Sequence, residues 1–389
     1  MNKVTDSVLY IGANDHDIDL FEGHFEVPLG MSYNSYIIID EKIAIMDTID
    51  QHKTDEWISN VQEALAGRNP DYLIIHHMEP DHSASIEAFL NIYPGTAIIG
   101  NKKTFNMISQ FFPNLAIENK LEVENGETLI LGKHELSFIF APMVHWPEVM
   151  MTYDAKDKIL FSADGFGKFG ALDTEDPEGW ACEARRYYFG IIGKYGAQVQ
   201  MVLKKAATLD VQIICPLHGP VLDKNLDYYM GLYDTWSSYL PETDGVCICY
   251  ASVYGNTKNA AELLAEDLNN RGVPKVALND LARDDIHECI EDAFRYDKLV
   301  LATTTYNADV FPCMREFLDM LCERNYQKRT VALIENGSWA PMAIKAMKAK
   351  LEGLKEITFT ENSVTILSAL TDENRIQLSA LADELAAGY

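Results

Sequence analysis

The pattern His77-x-Glu79-x-Asp81-His82 sets the strongest limit on what this chain can become. It lies in HHMEPDHSAS, residues 76–85, between the apolar run DYLII and the amphipathic stretch IEAFLNIY. His76, His77, Glu79, Asp81 and His82 crowd five potential ligands into seven residues. Ionisable groups packed together are costly unless a cation pairs with them. The fold must therefore deliver this loop rigidly, as the end of a strand does. Three further ligand types also close apolar runs: His145 follows LSFIFAPMV, Asp164 ends KILFSA, and His218 ends VQIICPL before Gly219-Pro220. Converging on one rim, these residues supply four histidines and three carboxylates, enough for two metals. Asp164 is the natural bridge, since a carboxylate has two oxygens. His76 precedes the spacing and is expected to finish the strand. His52, His134 and His287 read as ordinary surface or hydrogen-bonded histidines.

The 389 residues are enough for two or three domains with full cores. No run approaches eighteen apolar residues, which excludes a membrane-spanning helix. The start, MNKVTDSVLYIGAND, lacks a secretory core, so a cytoplasmic location is expected. The seven cysteines form no C-x-x-C pair, which removes zinc ribbons and thiolate-held iron and fits reduced thiols. A net charge of −27 argues against nucleic acid as a partner.

The rhythm changes near PETDG, residues 241–245. Before it, SYIIID, KIAIMDTI, LSFIFAP and MMTYDAKDKILFSAD read as paired strands, with DAKDK as a hairpin turn and helical patterns at 52–66 and 83–93. This predicts a layered α/β domain over 1–242. After it, VCICY, KVAL, KLVLA, TVALI and EITF alternate with helical patterns, predicting a doubly wound parallel sheet of five strands over 243–389.

That second sheet carries its own site. YASVYGNTKNAAELL puts Ser252, Val253, Tyr254, Gly255, Asn256 and Thr257 between the first strand and the first helix. Hydroxyls and backbone N–H groups at a helix N-terminus cradle phosphate. No G-x-G-x-x-G occurs, which disfavours a dinucleotide. Two more loops follow strands: TTTYNADVFP with Thr304, Thr305, Tyr306 and Asn307, and NGSWAP with Ser338 and Trp339. Tyr306 and Trp339 are candidates to flank a planar ring, with the backbone of Thr304, Asn307 and Ser338 meeting its polar edge.

The first pattern resembles the metallo-β-lactamase fold, an αββα sandwich with a binuclear site. Hydrolases of that fold usually have His where this chain has Glu79; the Glu form resembles the flavodiiron proteins. A carboxylate is harder than imidazole, which favours redox-active iron over zinc. The resemblance implies one iron on His77, Glu79, His145 and Asp164, and another on Asp81, His82, His218 and the shared Asp164. The second half resembles flavodoxin and implies FMN at the three loops. Here the chain departs from the family patterns S-P-T-Y-N and G-S-x-G-W, so Tyr306 carries over more safely than Trp339. His24 and Tyr188 resemble pocket groups able to donate a proton, with Tyr187 as the alternative tyrosine.

The implied function is reduction of dioxygen to water, of nitric oxide to nitrous oxide, or of both. Electrons would come from reduced rubredoxin or a similar small protein, supplied ultimately by NADH. The resemblance further implies a head-to-tail homodimer, or a dimer of dimers, because the Gly245 linker is too short to fold one strand-end surface onto the other. With no further redox module expected, this is the simplest two-domain class. Two other readings compete: a binuclear zinc hydrolase with a flavin-binding accessory domain, and a flavin electron carrier with a vestigial metal site. Glu79 weighs against the first, and the full ligand set against the second.

Overall fold

The computed structural model describes residues 2–389. Residue contacts group the chain into two units: 1–188 with 197–233, and 189–196 with 234–389. Within the second unit, the Phe189 ring stacks on Phe294 at 4.1 Å, and the Tyr239 hydroxyl donates to the Gly193 carbonyl at 2.8 Å. The buried Arg329 guanidinium also donates to the carbonyls of Tyr239, Phe294 and Tyr296.

The first unit holds two sheets. One runs in the order 2–3, 8–10, 36–39, 43–46, 72–74, 97–100, 120–122; the other runs 128–130, 135–140, 150–154, 159–161, 213–215. Alternation decides which face each side chain takes. Tyr36, Ile38, Ala44, Met46 and Ile74 share one core with Phe138, Met150, Ile159 and Phe161 of the second sheet. Ile37, Ile45 and Leu73, out of phase by one residue, are also fully buried, so the first sheet is covered on both faces. Helix Thr54–Leu65 buries Trp57, Val61 and Leu65 at spacing four. The expected hairpin is present, with Met150–Asp154 antiparallel to Ile159–Phe161.

In the second unit, Thr243–Ala251 lies between Val276–Asp280 and Tyr296–Tyr306, followed by Arg329–Asn336, all in parallel. The fifth position is split: Ile357–Phe359 and Val364–Ile366 both pair in parallel with Arg329–Asn336. The second piece, VTI, was not anticipated, because its three residues are too few to show a period. Ala260, Leu264 and Leu268 of helix Asn256–Asn270 pack on Val246, Ile248 and Tyr250, joined by Leu378, Leu381 and Leu385 of the last helix. All seven cysteines are free. Among the described residues, no helix is long and apolar enough to cross a membrane.

Candidate functional site

The predicted ligands all sit just beyond strand ends of the first unit. His77 and Glu79 follow Tyr72–Ile74, Asp81 and His82 lie in the short helix Pro80–Ser83, and Asp164 and His218 follow Ile159–Phe161 and Ile213–Cys215. His145 comes from the turn after Glu135–Phe140. Parallel or antiparallel, these strands end on one rim, so residues as far apart in sequence as Asp81 and His218, 137 positions, meet.

They meet as two groups, His77 with Glu79, His145 and Asp164, and Asp81 with His82 and His218. In the first, His145 Nε2 lies 3.0 Å from Glu79 Oε2 and 3.1 Å from Asp164 Oδ2. His77 Nε2 lies 3.2 Å from both Glu79 Oε2 and His145 Nε2. In the second, His218 Nε2 is 3.1 Å and His82 Nε2 is 3.3 Å from Asp81 Oδ2. Asp164 spans both, since its other oxygen, Oδ1, lies 3.2 Å from His82 Nε2. An ion held at about 2.0–2.2 Å by nitrogen and oxygen places neighbouring ligand atoms about 3.0–3.5 Å apart. The observed spacings fit that geometry. Asp81 Oδ1 and Oδ2, His82 Nε2, His218 Nε2 and Asp164 Oδ1 are buried without hydrogen-bond partners, as atoms aimed at a cation would be.

The electrostatics agree. Burial alone would neutralise these groups. Against burial, the His77 and His82 imidazoles hold the Asp164 carboxyl well below the usual range. Burial disfavours charge on His145, yet Asp164 and Glu79 push it up to about 9. A pocket that stabilises positive charge this strongly is suited to metal. His82 belongs fully to the cluster: its ring is buried and 4.6 Å from that of His218. His76 does not. Its Nδ1 donates to Asp47 at 2.5 Å and its Nε2 accepts from Thr152 at 2.7 Å, which leaves neither nitrogen for a ligand.

The outer groups take different neighbours. Tyr188 packs its ring against Tyr233 at 5.2 Å, whereas the Tyr187 ring lies 5.6 Å from that of His218. Helix Trp180–Tyr187 ends between them, so adjacent tyrosines take different faces. His24 is half exposed against Phe25, with Nε2 3.9 Å from Glu22. Sequence reasoning missed Glu22. It lines, with Glu79 and Asp81, a cavity of about 770 Å³, and burial with the neighbouring Glu79 pushes its carboxyl up to about 8. A single Glu in a turn carries no pattern that could have singled it out.

The second unit has a cavity of about 580 Å³ at its strand C-terminal ends. Every residue named above from the three loops lines it, apart from Gly255 beside it. Gly255 (φ +94°) stands at the start of helix Asn256–Asn270, and its N–H bonds Ser252 Oγ at 3.1 Å. No side chain caps that helix, so its first N–H groups are left for an anion. Thr257 Oγ1 and Thr304 Oγ1 are 3.2 Å apart. Thr305 is engaged elsewhere, since its hydroxyl accepts from the N–H groups of Met342 and Ala343 at a helix start. Tyr254 and Trp339 are 94 % and 92 % exposed on the rim, and Tyr306 is 46 % exposed. Ser368, unforeseen, joins the lining through a 2.8 Å bond to Ser338.

A family model described as "ODP family beta lactamase" matches residues 31–219, and one described as "Flavodoxin" matches residues 248–377. A nitric oxide reductase of Moorella thermoacetica is 26 % identical over 93 % of this chain and 92 % of its own length. A putative diflavin flavoprotein of Synechocystis is 33 % identical over 70 % of this chain, which spans 48 % of that relative. Among solved structures, the flavodiiron protein of Giardia intestinalis superposes with a TM-score of 0.92 at 24 % identity, covering 99 % of this chain and 95 % of its own. The rubredoxin oxygen:oxidoreductase of Desulfovibrio gigas superposes at 0.91, also at 24 % identity, covering 99 % and 97 %. At that identity the likeness speaks for the fold.

Proposed function

The chain belongs to the flavodiiron proteins, and from that premise we propose that it is an oxidoreductase reducing dioxygen to water, nitric oxide to nitrous oxide, or both. Two iron ions would be held by His77, Glu79, His145 and Asp164 on one side, and by Asp81, His82, His218 and the shared Asp164 on the other. FMN would sit in the loops around Ser252–Thr257, Thr304–Asn307 and Ser338–Trp339. When bound, two ferrous ions and reduced FMN supply four electrons, the number that turns dioxygen into two waters, and two suffice for a pair of nitric oxide molecules.

One observation carries the reading. Two ligand groups share Asp164 in a chain that also has a phosphate-cradling helix start at a second pocket. Asp164 offers one oxygen to each group and would hold two ions close enough to act on one small molecule. Glu79 and Asp81 reach from the ligand groups into the 770 Å³ cavity, which gives a gas an approach. The Tyr187 ring and His218 are both fully buried, which keeps water from that part of the site. At the other pocket, the helix start would neutralise the phosphate, and Tyr306 and Trp339 would cover the ring. The electron donor would be rubredoxin or a similar small protein. The assembly would be a head-to-tail homodimer in which the flavin of one chain serves the metals of its partner.

The test compares steady-state consumption of dioxygen and of nitric oxide, each at limiting concentration, with electrons from reduced rubredoxin. Turnover of either gas supports the proposal and identifies the substrate. A chain that holds zinc, hydrolyses esters or amides and consumes neither gas would establish the hydrolase alternative. For the dimer, a Ser252/Thr257 double variant coexpressed with a Glu79 variant should restore activity in the heterodimer. Inactive heterodimers beside active wild-type controls would place electron transfer within one chain.

A further inference from the structure

Glu148 stands outside both ligand groups, yet it is fully buried and bonded to one of them. Its Oε1 accepts from His77 Nδ1 at 2.8 Å and from the Met78 N–H at 2.9 Å. A carboxylate oxygen accepts and does not donate, so the ring hydrogen is on Nδ1. His77 Nε2 then keeps its lone pair for the site, where it lies 3.2 Å from Glu79. The side chain is itself held in place. Its backbone carbonyl accepts from Asn101 Nδ2 at 2.6 Å, and Asn101 also caps helix Lys102–Phe111. The other carboxylate oxygen, Oε2, is buried without a hydrogen-bond partner, so no second side chain competes with His77 for the charge.

The second group is backed differently. His218 Nδ1 donates at 2.7 Å to the Ser32 carbonyl, which is neutral. His82 Nδ1 is buried with no hydrogen-bond partner. A carboxylate accepting from the far nitrogen of an imidazole makes the near nitrogen a stronger donor and fixes the ring's tautomer and orientation. A carbonyl does this more weakly, and an unbonded nitrogen not at all.

We propose that Glu148 is a positioning residue that fixes the His77 tautomer and makes the metal position on His77, Glu79 and His145 the more electron-rich and tightly held of the two. This rests on the two-iron reading above. Electron density at that ion favours its higher oxidation state, so the pair would oxidise and lose metal unequally.

The experiment uses the full chain loaded with iron enriched in the Mössbauer isotope, and compares wild type with Glu148→Gln. The amide keeps volume and an oxygen facing Nδ1 but removes the charge. The expected result is a shift in one of two Mössbauer sub-spectra, with one iron equivalent removed by chelator about 10–100-fold more readily and the other unchanged. Both irons responding alike, or neither responding, overturns the proposal while leaving two-iron binding intact. Wild-type protein that binds fewer than two metals overturns the earlier reading as well. A second measurement needs no variant: nitrogen-correlated NMR of the zinc-loaded wild type should find the His77 ring hydrogen on Nδ1. A hydrogen on Nε2 would refute the assignment even if the Gln variant failed to fold.

Discussion

At the strand ends of the first unit, His77, His82, His145, His218, Asp81 and Asp164 are buried against one another, with Glu79 nearly so. At the strand ends of the second, Tyr254 and Trp339 stand almost fully in solvent. Both pockets follow the same rule, that open sheets bind ligands beyond strand C-termini, but they face opposite electrostatic demands. Charged ligands at close range must be placed by a packed scaffold before the ion arrives, because each misplacement leaves a buried charge unpaired. A phosphate and a planar ring ask for less: unsatisfied backbone N–H groups and side chains free to close over a face. Rigidity is therefore concentrated in the metal pocket and adaptability in the flavin loops.

Substitutions can test whether the two pockets are as independent as this suggests. The largest effect is expected from Glu79→Ala. Removing a direct ligand should weaken metal binding by more than the about 10–100-fold typical of an outer partner. Elemental analysis should show iron lost while visible absorbance shows flavin retained; flavin lost in parallel would mean that the pockets are coupled. Next, Ser252→Ala combined with Thr257→Ala should release FMN without touching iron. Hydrogen bonds to a charged group contribute about 1.5–3 kcal/mol each, so fluorescence titration should find Kd raised about 100-fold or more. Full flavin occupancy in this variant would put the phosphate elsewhere.

Smaller effects sharpen the contrast. Tyr187→Phe should lower kcat by about 2–10-fold, the range of one neutral hydrogen bond, while Tyr188→Phe leaves kcat unchanged. Equal effects in stopped-flow turnover would show that orientation toward His218 is irrelevant. Least of all, Trp339→Ala should raise the FMN Kd by about 2–10-fold, as expected for one aromatic contact of about 0.5–1.5 kcal/mol. Its melting temperature should barely move, since exposed substitutions usually stay within about 0.5 kcal/mol. A clear loss of thermal stability would show that the indole is part of the core.

Much of this was legible in the residues. The ligand pattern could be read because coordination demands particular residue types at fixed spacing, and the second sheet because its helices repeat Ala260, Leu264 and Leu268 on one face. The split fifth strand was not, since a three-residue segment such as VTI is defined by the strand it pairs with. Nor was Glu22, nor the choice between Tyr187 and Tyr188, which depends on where one helix ends and which neighbour each ring meets. Nor could the residues show that Thr305, which lines the second cavity, also caps a helix start 37 residues away with its hydroxyl.

Residue order alone was enough for the two-domain α/β plan, the seven candidate metal ligands and the candidate phosphate loop, because each is a local matter of periodicity or residue type. Packing in three dimensions was needed to show that Asp164 offers one oxygen to each ligand group, that His76 is spent on Asp47 and Thr152, and that Glu148 backs His77. Those roles depend on distances between residues up to 82 positions apart, and a buried polar group's chemistry is set by whichever neighbour the packing brings to it.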